Sequence, residues 1–454
     1  MHAEAASTPR SAGRLFFPGS WLDTRGVILE QPDPDPDYVF RALTAEGEAV
    51  LRHIEAGPGL ARLAELGLID TTLANEARPA GLPAEFSAVL RHRRIPRIVV
   101  PSEWTMRMWQ EALAAFCVFN LGLLEAGLCL EDAHPNNIVF DADGRARFVD
   151  FGSLKLNRKK FAISRGWHRE FKQRFLLPLA LNKVGLRALA ALARREPRDG
   201  FLRRYHHLTP LQAVMIAFDL IYFAAKAAGS ERFYFQRIQS LLCRRPVAEE
   251  KTNWTDYESG QENLKSRVVP ELLDQLADAR SVLDLAGNKG AHIRHAARHG
   301  RLALLADIDE FSIDCARAIA REERVPMFAA RLDLCHPTPP EGLGMFRGGS
   351  YERFRSDLVM ALAVSHHLAF RLHVPFYTFA AILDRYAEKY ILTEFVSLQD
   401  VHVRKWLDKG RTPPRGYSES EFAAAFEGIG WRTMKRWADA EGHRVLFLFE
   451  KVRS

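Results

Sequence analysis

The amino-acid sequence predicts an α/β and α+β multidomain protein, on three observations. Its 454 residues exceed the about 250 to 300 that one hydrophobic core organises, so more than one domain is expected. The C-terminal half repeats a short apolar run, an acid and a helix-length segment, a rhythm that predicts a mostly parallel sheet with crossover helices. The N-terminal half opens instead on strand-like alternation and continues into a long stretch of helical periodicity.

The composition, 47% hydrophobic and 26% charged, is that of a folded chain and excludes collagenous and disordered classes. Cys117, Cys129, Cys243, Cys315 and Cys335 sit at neither zinc-knuckle nor disulfide-framework spacing and read as reduced thiols. No secretory signal is seen at the N-terminus. The most apolar stretches, 112–130 and 213–228, are broken by Asn120 and Glu125 and by Asp219 and Lys226, so core helices are predicted and no transmembrane segment. The expected location is cytoplasmic, with peripheral attachment at the inner membrane surface as an alternative.

Along the chain, residues 15–45 read as strand, turn, strand around the Gln31-Pro-Asp-Pro-Asp-Pro-Asp insert. Arg94-Ile-Pro-Arg-Ile-Val-Val-Pro101 reads as a further strand, followed by a helix over 103–126. A loop at 131–137 precedes a strand pair across the Asp143-Gly144 turn, and Asp150-Phe-Gly follows. Residues 167–240 are helical in period, and the polar, turn-rich stretch 247–261 marks a boundary. Pro270 is read as opening a helix over 271–279. Short apolar runs begin at Ser281, Leu302, Asp357 and Tyr390 and read as the strands of the C-terminal sheet. The expected domains are 1–245, divided near residue 100 into two lobes, a linker over 246–262, and 263–454.

Val282-Leu-Asp-Leu-Ala-Gly-Asn-Lys-Gly290 is a strand running into a small-residue loop and then a helix, without the three-glycine fingerprint that a dinucleotide needs. With Asp284 at the strand end and Ala286, Gly287 and Gly290 in the loop, it resembles motif I of class I S-adenosylmethionine methyltransferases. Ala286 and Asn288 stand where two of that family's glycines would fall. The resemblance implies a Rossmann-like fold and S-adenosylmethionine as cofactor. It also implies that Asp307 holds the ribose hydroxyls with Asp309 just beyond, and that Asp333 lies beside the adenine amine. His366, His367 and Glu394 are expected to face the acceptor, any one of them as the base a hydroxyl acceptor requires.

In the N-terminal half, Asp132 lies five residues before Asn137, and Asn137 thirteen before Asp150. This spacing resembles the protein-kinase-like fold, a bilobal architecture, in its aminoglycoside-phosphotransferase form. The resemblance implies ATP and magnesium (Mg2+), with Asp132 orienting an acceptor hydroxyl, Asn137 and Asp150 as metal ligands, and residues 99–104 as the hinge between lobes. No glycine-rich loop or strand-borne lysine is present, and Arg41 is the one suitably placed cation. The whole chain resembles a bacterial family of fused proteins in which a kinase-like domain precedes a methyltransferase of the nodulation-protein type. Pro101-Ser-Glu-Trp104, residues 132–140, Trp167, residues 175–181, Trp254-Thr-Asp-Tyr257 and residues 361–368 carry that resemblance. It implies work on a surface glycan or secreted saccharide.

Residues 151–245 hold 20 Lys plus Arg against 5 acids, a local charge of +15, and the rest of the chain carries −8. The run predicts a basic face beside the kinase-like cleft that attracts an acidic partner, with nucleic acid the lesser expectation because no RNA-binding signature interleaves aromatics with it. The first functional reading is an O-methyltransferase acting on a glycan, a small-molecule metabolite or a phosphorylated acceptor, with a kinase half able to supply the phosphate. The second is an RNA or protein methyltransferase with a basic pseudokinase as its binding module. The third makes both halves nucleotide-sensing scaffolds.

Overall fold

The structure, a computed structural model, describes residues 16–17, 24–30, 35–195, 204–205, 207–247, 263–342 and 345–452. Most of the expected linker, the Trp254-Thr-Asp-Tyr257 segment and part of the Gln31 turn lie outside the described residues.

The N-terminal half begins with a four-stranded antiparallel sheet in the order β1 (Gly26–Ile28), β2 (Tyr38–Thr44), β4 (Phe86–Arg93), β3 (Thr71–Leu73). β1 and β2 are the expected strand, turn, strand, with Gly26 opposite Leu43. The strand expected over 94–101 is corrected: pairing ends at Arg93, and the chain runs on without a strand to a short turn at Pro101. Pro96 lacks an amide donor, so the buried Val99 and Val100 pack without a ladder, while in the true strand Ala88 and Leu90 pack into one apolar cluster and Phe86 and Val89 into another. Thr105 caps the next helix, Met106–Glu125, through the Met108 amide, and Trp109, Leu113, Phe116 and Leu123 set its buried stripe. Two antiparallel pairs follow. They are β5 (Leu128–Leu130) with β8 (Leu154–Leu156), and β6 (Ile138–Phe140) with β7 (Ala146–Phe148) across the expected Asp143-Gly144 turn.

The helical stretch after residue 165 departs from expectation at helix Thr209–Ala227. Phe218 and Tyr222 are buried, but Ile216, Leu220 and Phe223 are exposed, and only 28% of its apolar window is buried. By length and composition this helix is apolar enough to cross a membrane, and it is not the core helix predicted.

The C-terminal half is a seven-stranded sheet. Its strands are β9 (Ser281–Leu285), β10 (Leu302–Asp307), β11 (Phe328–Arg331), β12 (Ser356–Ala361), β13 (Ala387–Val396), β14 (Trp431–Ala438) and β15 (Arg444–Lys451). The spatial order is β11, β10, β9, β12, β13, β15, β14. All neighbours are parallel except that β15 runs antiparallel to β13 and β14. Numbered from the first strand of this half, the order is 3-2-1-4-5-7-6 with the seventh strand reversed, which is the class I methyltransferase fold. The first helix is a correction: it spans Leu264–Gln275, opened by Asn263 and Ser266 in a reciprocal cap, and Pro270 lies inside it. The cap sets the start, and the helix absorbs the one amide that proline withholds.

The two halves share one apolar core, which holds Trp104 and Phe140 together with Leu283 and Phe354. Polar contacts reinforce the seam. Arg353 makes a fork onto the buried Glu103 carboxylate, at 2.5 Å from Nη2 to Oε1 and 2.8 Å from Nη1 to Oε2, and also donates to Ile98 O. Glu103 Oε2 accepts from the Val100 amide as well. Arg97 reaches Arg353 O and Ser356 Oγ, Glu310 accepts from the Met106 amide, and Arg317 and Arg321 converge on Glu111. The segment expected as a hinge between lobes is thus fastened to the C-terminal half.

Removing Arg353 strands the Glu103 carboxylate in the interior. Arg353→Ala is expected to lower unfolding free energy by about 3–5 kcal/mol, as for other broken buried pairs. Urea denaturation followed by tryptophan fluorescence measures it, and a loss under about 1 kcal/mol, the worth of an exposed pair, would contradict the reading of this contact.

Candidate functional site

In an open parallel sheet the ligand crevice lies at the carboxyl ends of the strands, where the order reverses. Here that point is the gap between β9, continued outward by β10, and β12 on its other side. A cavity of about 500 Å³ opens there. Asp284, Ala286 and Gly287 of the loop after β9 form one wall, and Leu362 and Ala363 after β12 form another.

The loop's backbone explains its sequence. Ala286 (φ 58°), Asn288 (φ 50°) and Gly290 (φ 71°) all adopt the left-handed region, so the two departures from the family pattern occupy glycine-type conformations. Gly287 is needed for space instead. A Cβ there would lie 2.6 Å from the Asp284 carboxylate and 2.6 Å from Leu305 Cδ1. Asp284 is 1% exposed, and its Oδ2 has no hydrogen-bond partner within the protein. Burial first, then the nearby Asp307, pushes its carboxyl up to about 8, against the pull of Lys265.

The other expected residues divide. Asp307 ends β10 beside the loop, but its carboxylate accepts from the Asn288 and Asp309 amides, each at 2.9 Å, and is buried outside the cavity lining. Asp309 caps the next helix through the Ser312 amide and hydroxyl. Asp333 lines a separate cavity between the two halves, with Ser102 and Arg194, and binds its own neighbours Cys335 and His336. His366 and His367 both line the Asp284 cavity, His366 stacked on the Trp406 ring and His367 tilted against it. Burial holds His366 well below the usual histidine range and His367 at about 4, so both are neutral imidazoles. Glu394 lies behind the wall, 1% exposed, between Lys265 at 3.4 Å and Arg444 at 3.5 Å. An ion-paired carboxylate that does not reach the cavity is poorly placed as a base.

Sequence reasoning missed the rest of the lining. Lys265 enters from the capped turn of helix Leu264–Gln275. Helix Val401–Asp408 presents His402, Lys405, Trp406 and then Lys409 at helical spacing, and Arg371 follows His367 by one turn. That spacing was visible in the sequence, but a charged helix face ordinarily reads as a solvated one.

In the N-terminal half the three expected polar residues converge. Asn137 Nδ2 lies 3.3 Å from Asp150 Oδ2, and Arg41 Nη2 lies 3.2 Å from Asp150 Oδ1. Burial, then Glu170 and Asp150, raises the Asp132 carboxyl to about 6. Arg25, itself buried, donates to Gly152 O and pairs with Glu46 and Glu131, so two arginines from the first sheet bridge to the loops below. The cations of the basic segment divide between the interior and the surface. Lys172 is buried on Asp219, Arg194 turns into the seam toward Glu310, and Arg158, Lys159, Lys160 and Arg165 are exposed. Its residues 196–203 and 206 lie outside the described residues.

No protein-family model matches the chain. It is 27% identical to the nodulation protein NoeA of Rhizobium meliloti (strain 1021) over 98% of both chains. Among solved structures it is similar to the N-methyltransferase NodS from Bradyrhizobium japonicum WM9 in complex with S-adenosyl-L-homocysteine, at 15% identity and TM-score 0.31, covering 42% of this chain and 90% of that one. It is also similar to magnesium protoporphyrin IX methyltransferase (ChlM) from Synechocystis PCC 6803 with bound SAH, at 15% identity and TM-score 0.31, covering 43% of this chain and 90% of that one.

The Asp284 shift has a pH signature. The folded chain keeps this proton up to about 8, whereas the unfolded chain releases it near 3.8, so the group's contribution to stability falls as pH rises between those values. Asp284→Asn is expected to raise the melting temperature at about pH 8 and to flatten its dependence below that. Thermal denaturation from about pH 5 to pH 8 checks this, and an unchanged slope would contradict the burial argument.

Proposed function

We propose that the C-terminal half is an S-adenosylmethionine-dependent methyltransferase whose cofactor lies against the Asp284–Gly290 loop. The observation that carries this reading is the loop itself, with three left-handed residues, a glycine that admits no Cβ, and a buried Asp284 oxygen without a partner at the cavity's edge. Those features fit the cofactor: the orphan oxygen would accept from its ammonium group, and the missing Cβ at Gly287 lets the Asp284 carboxylate sit directly against the loop. When bound, the cofactor supplies an electrophilic methyl group on a sulfonium. The chain's own part is to orient the acceptor in line, chiefly through Trp406 and the His366–His367 pair, and to exclude water. The sequence resemblance to nodulation-type proteins suits a saccharide-linked acceptor.

The N-terminal half admits a second reading as an ATP and magnesium site, favoured by the meeting of Asn137 and Asp150. Magnesium does not fit the cluster as it is held, because the Arg41 guanidinium already neutralises Asp150, and Arg25 and Arg41 tie the first sheet across the cleft. We therefore read this half as a kinase-like scaffold fastened to the methyltransferase, with no phosphoryl transfer of its own.

Calorimetry on the full chain is expected to show S-adenosylhomocysteine binding that Asp284→Ala weakens about ten- to a hundredfold, the range for a lost charge-assisted hydrogen bond. Unchanged affinity in a folded variant would refute the placement. ATP with magnesium chloride is expected to leave the melting temperature of wild-type protein unmoved, and a metal-dependent rise would restore the phosphotransferase reading.

A further inference from the structure

The cavity is strongly cationic: Lys289 of the cofactor loop and Lys265, Arg371, Lys405, Lys409, Arg411 and Arg444 around it all line it, and among the described residues Asp284 is the one acid in the lining. Three of the cations have other work. Lys265 and Arg444 pair with Glu394, Arg444 pairs also with Asp400, and Arg411 donates to Phe370 O and lies over the Trp406 ring at 5.7 Å. Among the described residues, Lys289, Arg371, Lys405 and Lys409 have no carboxylate within ion-pair distance. Four cations converging on one concave site repel one another, and their field favours an anion.

The cofactor cannot satisfy them. S-adenosylmethionine carries a sulfonium, an ammonium and one carboxylate, a net positive charge, so its single carboxylate leaves most of the four cations uncompensated and its binding adds to the local excess. The remaining compensation has to come from the other substrate. The lining histidines His292, His366 and His367 are weak bases, because burial holds their conjugate acids below the usual histidine range, and Glu394 is screened from the cavity by its own ion pairs. A hydroxyl acceptor would need its proton removed, whereas an acceptor that arrives as an anion would not.

Resting on the methyltransferase reading above, we propose that the acceptor in this cavity is an oxyanion, a phosphate ester or a carboxylate, held by Arg371, Lys405, Lys409 and Lys289 beside the Trp406 ring. Its oxygen lone pair forms the new C–O bond as the C–S bond breaks, and the electron pair of that bond stays on sulfur. Oxyanion and sulfonium charges cancel, S-adenosylhomocysteine leaves as a neutral thioether, and no proton moves. The product is a methyl ester, and the chain's contribution is charge compensation and alignment. The Trp406 face offers an apolar platform for the body that carries the anion, such as a sugar ring.

The test is calorimetry on the full chain saturated with S-adenosylhomocysteine, with glucose 1-phosphate, glucuronate and glucose as probes. At least one anionic probe is expected to bind about tenfold or more tightly than glucose, with affinity falling as salt rises from about 50 to 200 mM. The Arg371→Ala, Lys405→Ala double variant is expected to lose about tenfold in that affinity while its affinity for S-adenosylhomocysteine and its melting temperature hold. Preference for glucose 1-phosphate or for glucuronate identifies the oxyanion. Equal binding of all three probes, or anion binding untouched by the double variant, overturns the proposal while leaving the methyltransferase reading intact. Absence of S-adenosylhomocysteine binding in the first titration overturns that reading instead.

Discussion

The buried pairing of Glu103 with Arg353 is the constraint on which the arrangement of the two halves depends. Glu103 belongs to the turn that launches the long helix Met106–Glu125, and Arg353 to the segment that leads into β12. Because both are nearly inaccessible to water, with side chains 1% and 9% exposed, each charge needs the other, and separating the halves would expose both to partial solvation or leave them unpaired. The contacts of Arg97, Glu310 and Glu111 extend the same seam, and an apolar core runs beneath it. A seam of this kind turns two potential domains into one body, so the N-terminal half acts as a buttress for β12, whose far end forms a wall of the cavity.

Within the C-terminal sheet the chemistry follows from where strand order reverses. Asp284 and the loop after it are placed by β9, the backbone accepts left-handed conformations at Ala286 and Asn288, and Gly287 leaves room for the Asp284 carboxylate and Leu305 to pack against the loop. Side chains from helices Ser365–Leu372 and Val401–Asp408 complete the site from above. In the proposed reading the Asp284 oxygen meets the cofactor's ammonium, the surrounding cations hold an anionic acceptor, and the His366–His367 pair lies beside them. Such a site accelerates transfer by bringing opposite charges together and letting them cancel as the bond forms.

The strands of the C-terminal sheet were legible because parallel strands covered on both faces read as continuous apolar runs, and the acids at their ends mark the crevice. Asp284, Ala286, Gly287, His366 and His367 were therefore found at the cavity from sequence. Asp333 lines a separate cavity facing the N-terminal half, a placement the sequence does not reveal because an acid after a strand has the same local pattern whichever way it turns. The Glu103–Arg353 contact spans 250 residues and leaves no periodic trace. Strand Phe86–Arg93 was missed because Arg91, His92 and Arg93 made its end look like loop, although β2 supplies its partners. The cationic wall went unread for a similar reason, since Lys405 and Lys409 look like ordinary solvent-facing residues until the fold curls their helix over the cavity.

The most direct test of the central claim, that one cofactor site exists and lies between β9 and β12, is hydrogen–deuterium exchange of the full chain with and without S-adenosylhomocysteine. The account predicts slowed exchange in residues 284–292 and 362–367, with the Asn137 to Asp150 region unchanged. Protection centred on residues 131–152, or none at the β9 loop under saturating ligand, would contradict it.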